Sequence, residues 1–345
     1  MKKLNAIDLF CGCGGTTRGL RNAGFRVLGA LDNDAYALNV YRSNHRGVRL
    51  WSADIRRISA VGMRRDLKLR KGQLDLLAGC PPCQGFSSVR TLNGSRKVKD
   101  QRNDLLFDFL RFARSFRPRA VMLENVPGLA DDSRFERFVS KLRSLNYRVE
   151  YRIVNAADHG VPQRRKRLIL LARARDGDIE FPARKAETVT VRQAIGQLPP
   201  AGKSGDPMHD AGEKRSEKVA RLISLVPKNG GSRADLPARL RLKCHRKLRG
   251  FFDIYGRMAW NDVAPTITSG CHNPSKGRFL HPVHNRAITL REAAILQGFP
   301  LRYKFPAEIK KERISLMIGN ALPPPLIAAH ARLVRSKLHA RRGRR

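Results

Sequence analysis

Cys83 lies in the stretch LLAGCPPCQGFSSV, three residues after Cys80 and separated from it by two prolines. Three chemistries are open to such a cysteine: a metal's thiolate ligand, one half of a redox dithiol, or a lone nucleophile. Cys11 and Cys13, in DLFCGCGG, extend the first, because C-x-C and C-x2-C can both act as zinc ligand pairs. They flank a glycine in what reads as a ligand-binding turn, and metal ligation would block that turn. The His281-x2-His284 pair, with Cys244-His245 and Cys271-His272, is a second conceivable zinc set, but its spacing is short for a finger. A redox pair needs an accessible first cysteine of low pKa at a helix start, and it leaves the basic second half of the chain unexplained. In the third reading Cys83 is a nucleophile whose thiolate is favoured by positive surroundings, with Glu124 of the tripeptide ENV as the nearby acid. QRRKR, Gln163 to Arg167, adds Arg165 and Arg167, two apart and on one face if the stretch is extended. A thiol, a carboxyl and an arginine converging on one cleft suit a planar heterocycle.

A second group of residues suits a cofactor. DLFCGCGG reads as a strand running into a glycine-rich turn, where glycine lets the backbone approach a ligand and adopt positive φ. No Gly-Lys-Ser/Thr follows, so a nucleotide triphosphate is not indicated, and the GxGxxG dinucleotide pattern is imperfect. Asp32 closes the next apolar run, where a carboxylate suits a ribose diol. That pairing fits any adenosine-containing cofactor.

These residues need a scaffold that brings them to one edge. The runs LNAIDLF, FRVLGALD, LDLLAG and AVMLE alternate with helical patterns, which predicts a parallel sheet with crossover helices. The first run enters the glycine turn, the second ends at Asp32, the third enters CPPCQ and the fourth ends at Glu124. Ligands of open parallel sheets bind beyond the carboxyl ends of the strands. The expected fold class is therefore α/β with a Rossmann-like sheet. Residues 180–285 are rich in Pro, Gly and Arg without a clean period, and predict a second, smaller, irregular domain. Order returns at ITLREAAILQGFP, where Thr289 and Glu292 form a capping box and Gly298 with Pro300 stops the helix. LMIGNALPPPLIAAHARLV reads as a Gly-Asn turn followed by a helix from Pro324 or Pro325. The expected division is 1–179 plus 305–345 for catalysis and cofactor, and 180–304 for the smaller domain and hinge.

Composition narrows the partner. Lys plus Arg is 69 against 29 Asp plus Glu, a net charge of +40, which repels itself in a compact fold and calls for a polyanion. Arg233 to Arg249 holds seven Lys/Arg against one Asp, and the fifteen residues from Ala331 hold seven and no acid. Residues 87–104, polar and carrying five Lys/Arg, read as a mobile loop directly after the candidate nucleophile. Six cysteines in 345 residues are too few for a disulfide scaffold. No apolar run follows Met1-Lys2-Lys3 and none approaches the ~18 residues of a membrane span. A cytoplasmic setting with no membrane association is expected.

Taken in order, DLFCGCGG, PPCQGFS, ENV, QRRKR, REAAILQGFP and GNALPPPL strongly resemble the DNA (cytosine-5)-methyltransferases, over almost the whole chain. The resemblance implies an S-adenosylmethionine-dependent enzyme that methylates C5 of a cytosine flipped out of a specific duplex DNA sequence. It implies Cys83 as the nucleophile that adds to C6, with Cys80 a structural neighbour. Glu124 would hold the N3/N4 edge and help protonate N3. Arg167 would hold O2, with Arg165 supporting the pocket and Cys83. The cofactor would touch Phe10 and the Gly12 turn, with Asp32 on the ribose, Asp54 on the adenine amino group and Ile55 near the ring. Pro82, Leu105 and Asn320 would complete that site. The family commonly has Glu followed by an aromatic where this chain has Asp32-Asn33, which shortens the ribose carboxylate and removes a ring. The smaller domain would be the target-recognition domain, and the 87–104 loop would close over DNA. A monomer is expected, and the resemblance admits a companion restriction or repair endonuclease. Two rivals stand beside this reading. One is the tRNA-directed branch, whose Cys-Phe-Thr tripeptide is absent here; the other is a catalytically silent basic DNA-binding protein.

Overall fold

A computed structural model describes residues 3–82, 104–174, 178–185, 187–240 and 253–340. Two compact units divide the chain: Met1–Asn155 with Lys166–Arg184 and Leu322–Arg345, and Ala156–Arg165 with Lys185–Ala321. In chain order the first unit opens with β1 (Asn5–Leu9), α1 (Gly15–Asn22), β2 (Arg26–Asp32), α2 (Ala35–Asn44), β3 (Arg49–Ser52) and α3 (Ala60–Asp66). It continues through β4 (Leu76–Gly79), α4 (Leu105–Phe116), β5 (Ala120–Asn125), α5 (Ser133–Ser144), β6 (Tyr147–Asn155) and β7 (Lys166–Ala174). The second unit carries α6 (Val191–Ile195), α7 (Pro207–Asp210), α8 (Glu217–Leu225), α9 (Leu290–Leu296) and α10 (Lys311–Asn320). The chain then returns to the first unit with α11 (Pro324–Ala340).

The seven strands run β3-β2-β1-β4-β5-β7-β6. β3 to β5 are parallel, and β7 runs antiparallel to both β5 and β6. Strand order therefore reverses between β1 and β4, the place where a doubly wound sheet opens its ligand crevice. Both faces are covered. Ile7, Leu9, Leu77, Val121, Leu123, Leu168 and Leu170 share a core with Phe109, Phe112 and Phe116 of α4 and Phe135 and Phe138 of α5. Neighbours of the other parity, Ala6, Ala78, Met122 and Ile169, are buried as well. That is why these strands read as continuous apolar runs.

Small residues let α1 meet α11 closely. A Cβ at Gly19 would lie 2.6 Å from Ile327 Cβ and 2.7 Å from the Pro324 carbonyl, and one at Gly15 would strike the Leu322 carbonyl. Gly19→Ala is therefore expected to destabilise the protein by up to about 2 kcal/mol, since overpacking costs ~1–3 kcal/mol against a helix-propensity gain of ~1 kcal/mol. Thermal unfolding followed by circular dichroism should show the midpoint falling by a few degrees. An unchanged or higher midpoint would mean that α11 yields to α1.

The four runs read as strands form the parallel part of the sheet, β2-β1-β4-β5, and β7 adds an antiparallel strand beside β5. One expectation changes: Gly319-Asn320 is not a turn but the end of helix α10. α10 is tied into the second unit, where Ser315 Oγ donates to the Ser269 carbonyl (2.7 Å) and lies 3.3 Å from Cys271 Sγ. The α9 capping box forms as expected, with Thr289 and Glu292 bonding each other's backbone amides and Gly298 at φ 89° beyond the end. Pro324 opens α11.

Candidate active site

β4 and β5 deliver the central pair. In their parallel register Gly79 lies opposite Leu123, so Cys80, just past the end of β4, comes beside Glu124, which still pairs with β7. Glu124 is 3% exposed. Cys80 Sγ donates to its Oε2 at 2.7 Å. Arg167 Nε, at the start of β7, lies 2.9 Å from Oε1 in an ion pair whose arginine side chain is 16% exposed. A buried carboxylate without a partner would cost several kcal/mol, and the guanidinium offsets that cost. Asn125 secures the next turn: its Nδ2 donates to the Pro81 carbonyl (3.0 Å) and its Oδ1 accepts from the Val126 amide (2.8 Å). ENV is thus a carboxylate followed by a clamp on Pro81. Cys83 itself, and residues 87–103 of the expected loop, lie outside the described residues.

The cofactor candidates gather at the ends of β1 and β2. Phe10, at φ 61°, holds a left-handed conformation that costs a non-glycine residue ~1–3 kcal/mol. Such strain clusters at ligand sites. Gly12 follows at φ 51°, and a Cβ there would meet nothing within 4 Å, so the turn opens on free space. The Gly12 amide donates to Asp32 Oδ2 (2.8 Å) and the Asp34 amide to Asp32 Oδ1 (2.9 Å). Burial raises the pKa of Asp32, and these amides work against that shift. Deeper in, Asp8 accepts from Thr17 Oγ1 (2.8 Å), which also meets Tyr41 Oη (2.8 Å) and so links β1, α1 and α2. Burial pushes the Asp8 carboxyl up to about 7.

Asp54 is engaged locally. It accepts from the Arg56 amide (2.9 Å) and pairs with that residue's guanidinium, which with the amide holds its carboxyl at about 2. Ile55 is buried in the main core, Leu105 begins α4 at 8% exposure, and Pro82 is half-buried after β4. Asn320 ends α10 in the second unit and is exposed. Burial also pushes the Cys13 thiol up to about 12 and raises the Cys11 thiol well above its ordinary value. Neither offers a thiolate nucleophile near neutral pH.

QRRKR divides its work between the two units. In the second unit Arg165 donates to the carbonyls of Ile267 (3.0 Å), Gly319 (2.9 Å) and Ala321 (3.4 Å). Gln163, fully buried, donates to Leu296 O (2.9 Å) and Gln297 Oε1 (2.6 Å) and accepts from the Ile267 amide (3.0 Å). Arg167 belongs to the first unit and goes to Glu124. Arg165 precedes β7 and only Arg167 lies in it, so the two do not share a strand face. Sequence reasoning missed Asn125, Gln163 and Gln297 as positioning groups, though all three stand inside quoted motifs. It also missed Arg257, whose guanidinium is wholly buried and donates to the carbonyls of Ile223, Val226, His281 and His284 and to Asn285 Oδ1. Nothing in its neighbours' types signals that role.

Strand order, the open glycine turn, the acid ending β2 and the paired carboxylate near the end of β5 define a Rossmann-like α/β unit with a candidate ligand site at its strand ends. A family model for C-5 cytosine-specific DNA methylase matches residues 4–335. The type II methylase M.HgiDII of Herpetosiphon aurantiacus is 40% identical over 334 residues, covering 93% of this chain and 92% of that protein. The type II methyltransferase M1.HphI of Haemophilus parahaemolyticus is 33% identical, covering 96% and 86%. The crystal structure of a DNA modification methyltransferase encoded within an E. coli prophage superposes with TM-score 0.72 at 26% identity, covering 98% of this chain and all of that one. This chain belongs to the C-5 cytosine-specific DNA methylase family and is a DNA cytosine-5 methyltransferase. Among the described residues no helix is long and apolar enough to cross a membrane.

Proposed function

We propose that this enzyme transfers a methyl group from S-adenosylmethionine to C5 of a cytosine flipped out of a specific duplex DNA sequence, as the modification partner of a restriction endonuclease. The observation that carries the reading is the buried Glu124 carboxylate, held between Arg167 and Cys80 where β4 leads into Pro-Pro-Cys83. Cytosine C5 is too weak a nucleophile to be methylated directly. Addition of the Cys83 thiolate to C6 makes C5 enamine-like, and Glu124 delivers a proton to N3 to stabilise the adduct. Arg167 holds O2, and Arg165 braces the second unit. Loss of the C5 proton and of Cys83 restores aromaticity. Both reacting carbons are buried in a duplex, so the base must leave the stack. The open turn at Gly12 and the Asp32 carboxylate fit the adenosine and amino-acid ends of the cofactor, which supplies an electrophilic methyl group when bound. The second unit, with its many arginines, is the target-recognition candidate.

The test is transfer of labelled methyl groups to duplex DNA, single-stranded DNA and tRNA, with mapping of the modified base. Labelled 5-methylcytosine in duplex DNA is expected. Label in tRNA alone would move the enzyme to the tRNA-directed branch, and none in any substrate would leave a silent DNA-binding protein.

The charge of +40 makes a separate prediction. Each neutralised phosphate releases counterion, so log affinity for duplex DNA should fall against log salt with a slope of about −0.9 per phosphate. With about six to ten contacts, binding should weaken ~10³-fold or more between 50 and 200 mM salt. Fluorescence anisotropy at four salt concentrations reads the slope, and a flat line would mean the charge is not a DNA footprint.

A further inference from the structure

Arg167 and Cys80 face Glu124 from the neighbouring strands β7 and β4, one on each carboxylate oxygen. The two partners differ in kind. A guanidinium is a permanent cation with donors only, so the oxygen beside it is the less basic of the two. A thiol is a weak, neutral donor. It can orient Oε2 without locking it in the ionised state, as a second guanidinium would. Resting on the proposed function, we infer that Cys80 is a positioning residue that orients Glu124 and directs its transferable proton to Oε2. As Cys83 Sγ bonds C6, the Oε2–H bond breaks and its proton passes to cytosine N3. When the thiol leaves C6, N3 returns the proton to Oε2. The Cys80 proton stays on sulfur throughout. An apolar residue at position 80 would remove one donor from a buried carboxyl oxygen.

The test compares Cys80→Ala and Cys80→Ser with the wild type and Glu124→Gln, in single-turnover methylation of duplex DNA across pH, with thermal unfolding measured alongside. The descending limb of the pH profile is where Glu124 loses the proton it must deliver. Cys80→Ala is expected to lower the rate constant about tenfold, the scale of one hydrogen bond, with KM for DNA unchanged. With one donor fewer the carboxylate is more basic, so the limb moves to higher pH. Serine, a stronger donor, should restore the rate to within about threefold and move the limb below that of the wild type. The order of the limbs, Ser below Cys below Ala, is the signature. If Cys80→Ala does not fold, the serine shift alone decides. Limbs that coincide in all folded variants would overturn the inference, as would a slow Cys80→Ala that serine does not rescue. A wild type that forms no 5-methylcytosine would sink the proposed function itself, whereas an active wild type with an inactive Glu124→Gln leaves the Cys80 variants to judge the inference alone.

Discussion

Cys83→Ser is expected to lower methyl transfer by on the order of 10⁴-fold or more, the scale of losing a covalent nucleophile, while duplex DNA binding survives. A serine hydroxyl is almost never ionised near neutral pH and so cannot add to C6. Its size is close to that of the thiol, and DNA affinity comes mainly from phosphate contacts made elsewhere. DNA carrying 5-fluorocytosine at the target position gives a second readout. Fluorine replaces the proton that must leave C5, so the wild type should give a cofactor-dependent, shifted band on a denaturing gel and Cys83→Ser should give none. An active Cys83→Ser beside a dead Cys80→Ser would exchange the roles of the two cysteines. The positions of Cys80 on Glu124 and of Asn125 on the Pro81 carbonyl argue for the assignment as written.

Glu124→Gln should reduce the single-turnover rate by about 10²–10⁴-fold, the usual worth of a positioned acid. Glutamine fills the same space and keeps a carbonyl for one partner, but it cannot deliver a proton to N3. The change also strips Arg167 of its counter-ion at a site where the acid is 3% exposed, so some stability should go with activity, at a cost of up to about 3 kcal/mol. Measuring rate and thermal midpoint together separates the two. A loss of stability with the rate held within tenfold would make Glu124 a structural anchor and not the acid.

Much of this was legible along the chain. The ends of β1, β2, β4 and β5 could be located because strands buried on both faces are short and largely apolar, and each ends at or within two residues of an Asp, Glu, Gly or Cys. Tyr147–Asn155 was harder: charges interrupt its apolar positions because β6 is an edge strand exposed over much of its length. Its partner β7 opens on Lys166 and Arg167 of QRRKR, so the basic run masked the start of the strand. The second unit resisted reading because its helices are short, its apolar cluster is small, and much of it is tied by side-chain bonds to carbonyls, such as those of Arg257.

The sequence by itself determined which atoms can do chemistry here: a thiol after two prolines, a carboxyl at a strand end, arginines two apart and glycines in a turn. Those are properties of residue type and local spacing, and they survive without a fold. Only the tertiary structure decided which groups meet. It set Arg167 and Cys80 on opposite oxygens of Glu124 and sent Arg165 to the carbonyls of Ile267 and Gly319. Partner choice depends on strand register, a relation between residues 44 apart in the case of Cys80 and Glu124. Register is set by the packing of whole strands against α4, α5 and α11, and so is not written in either short stretch alone.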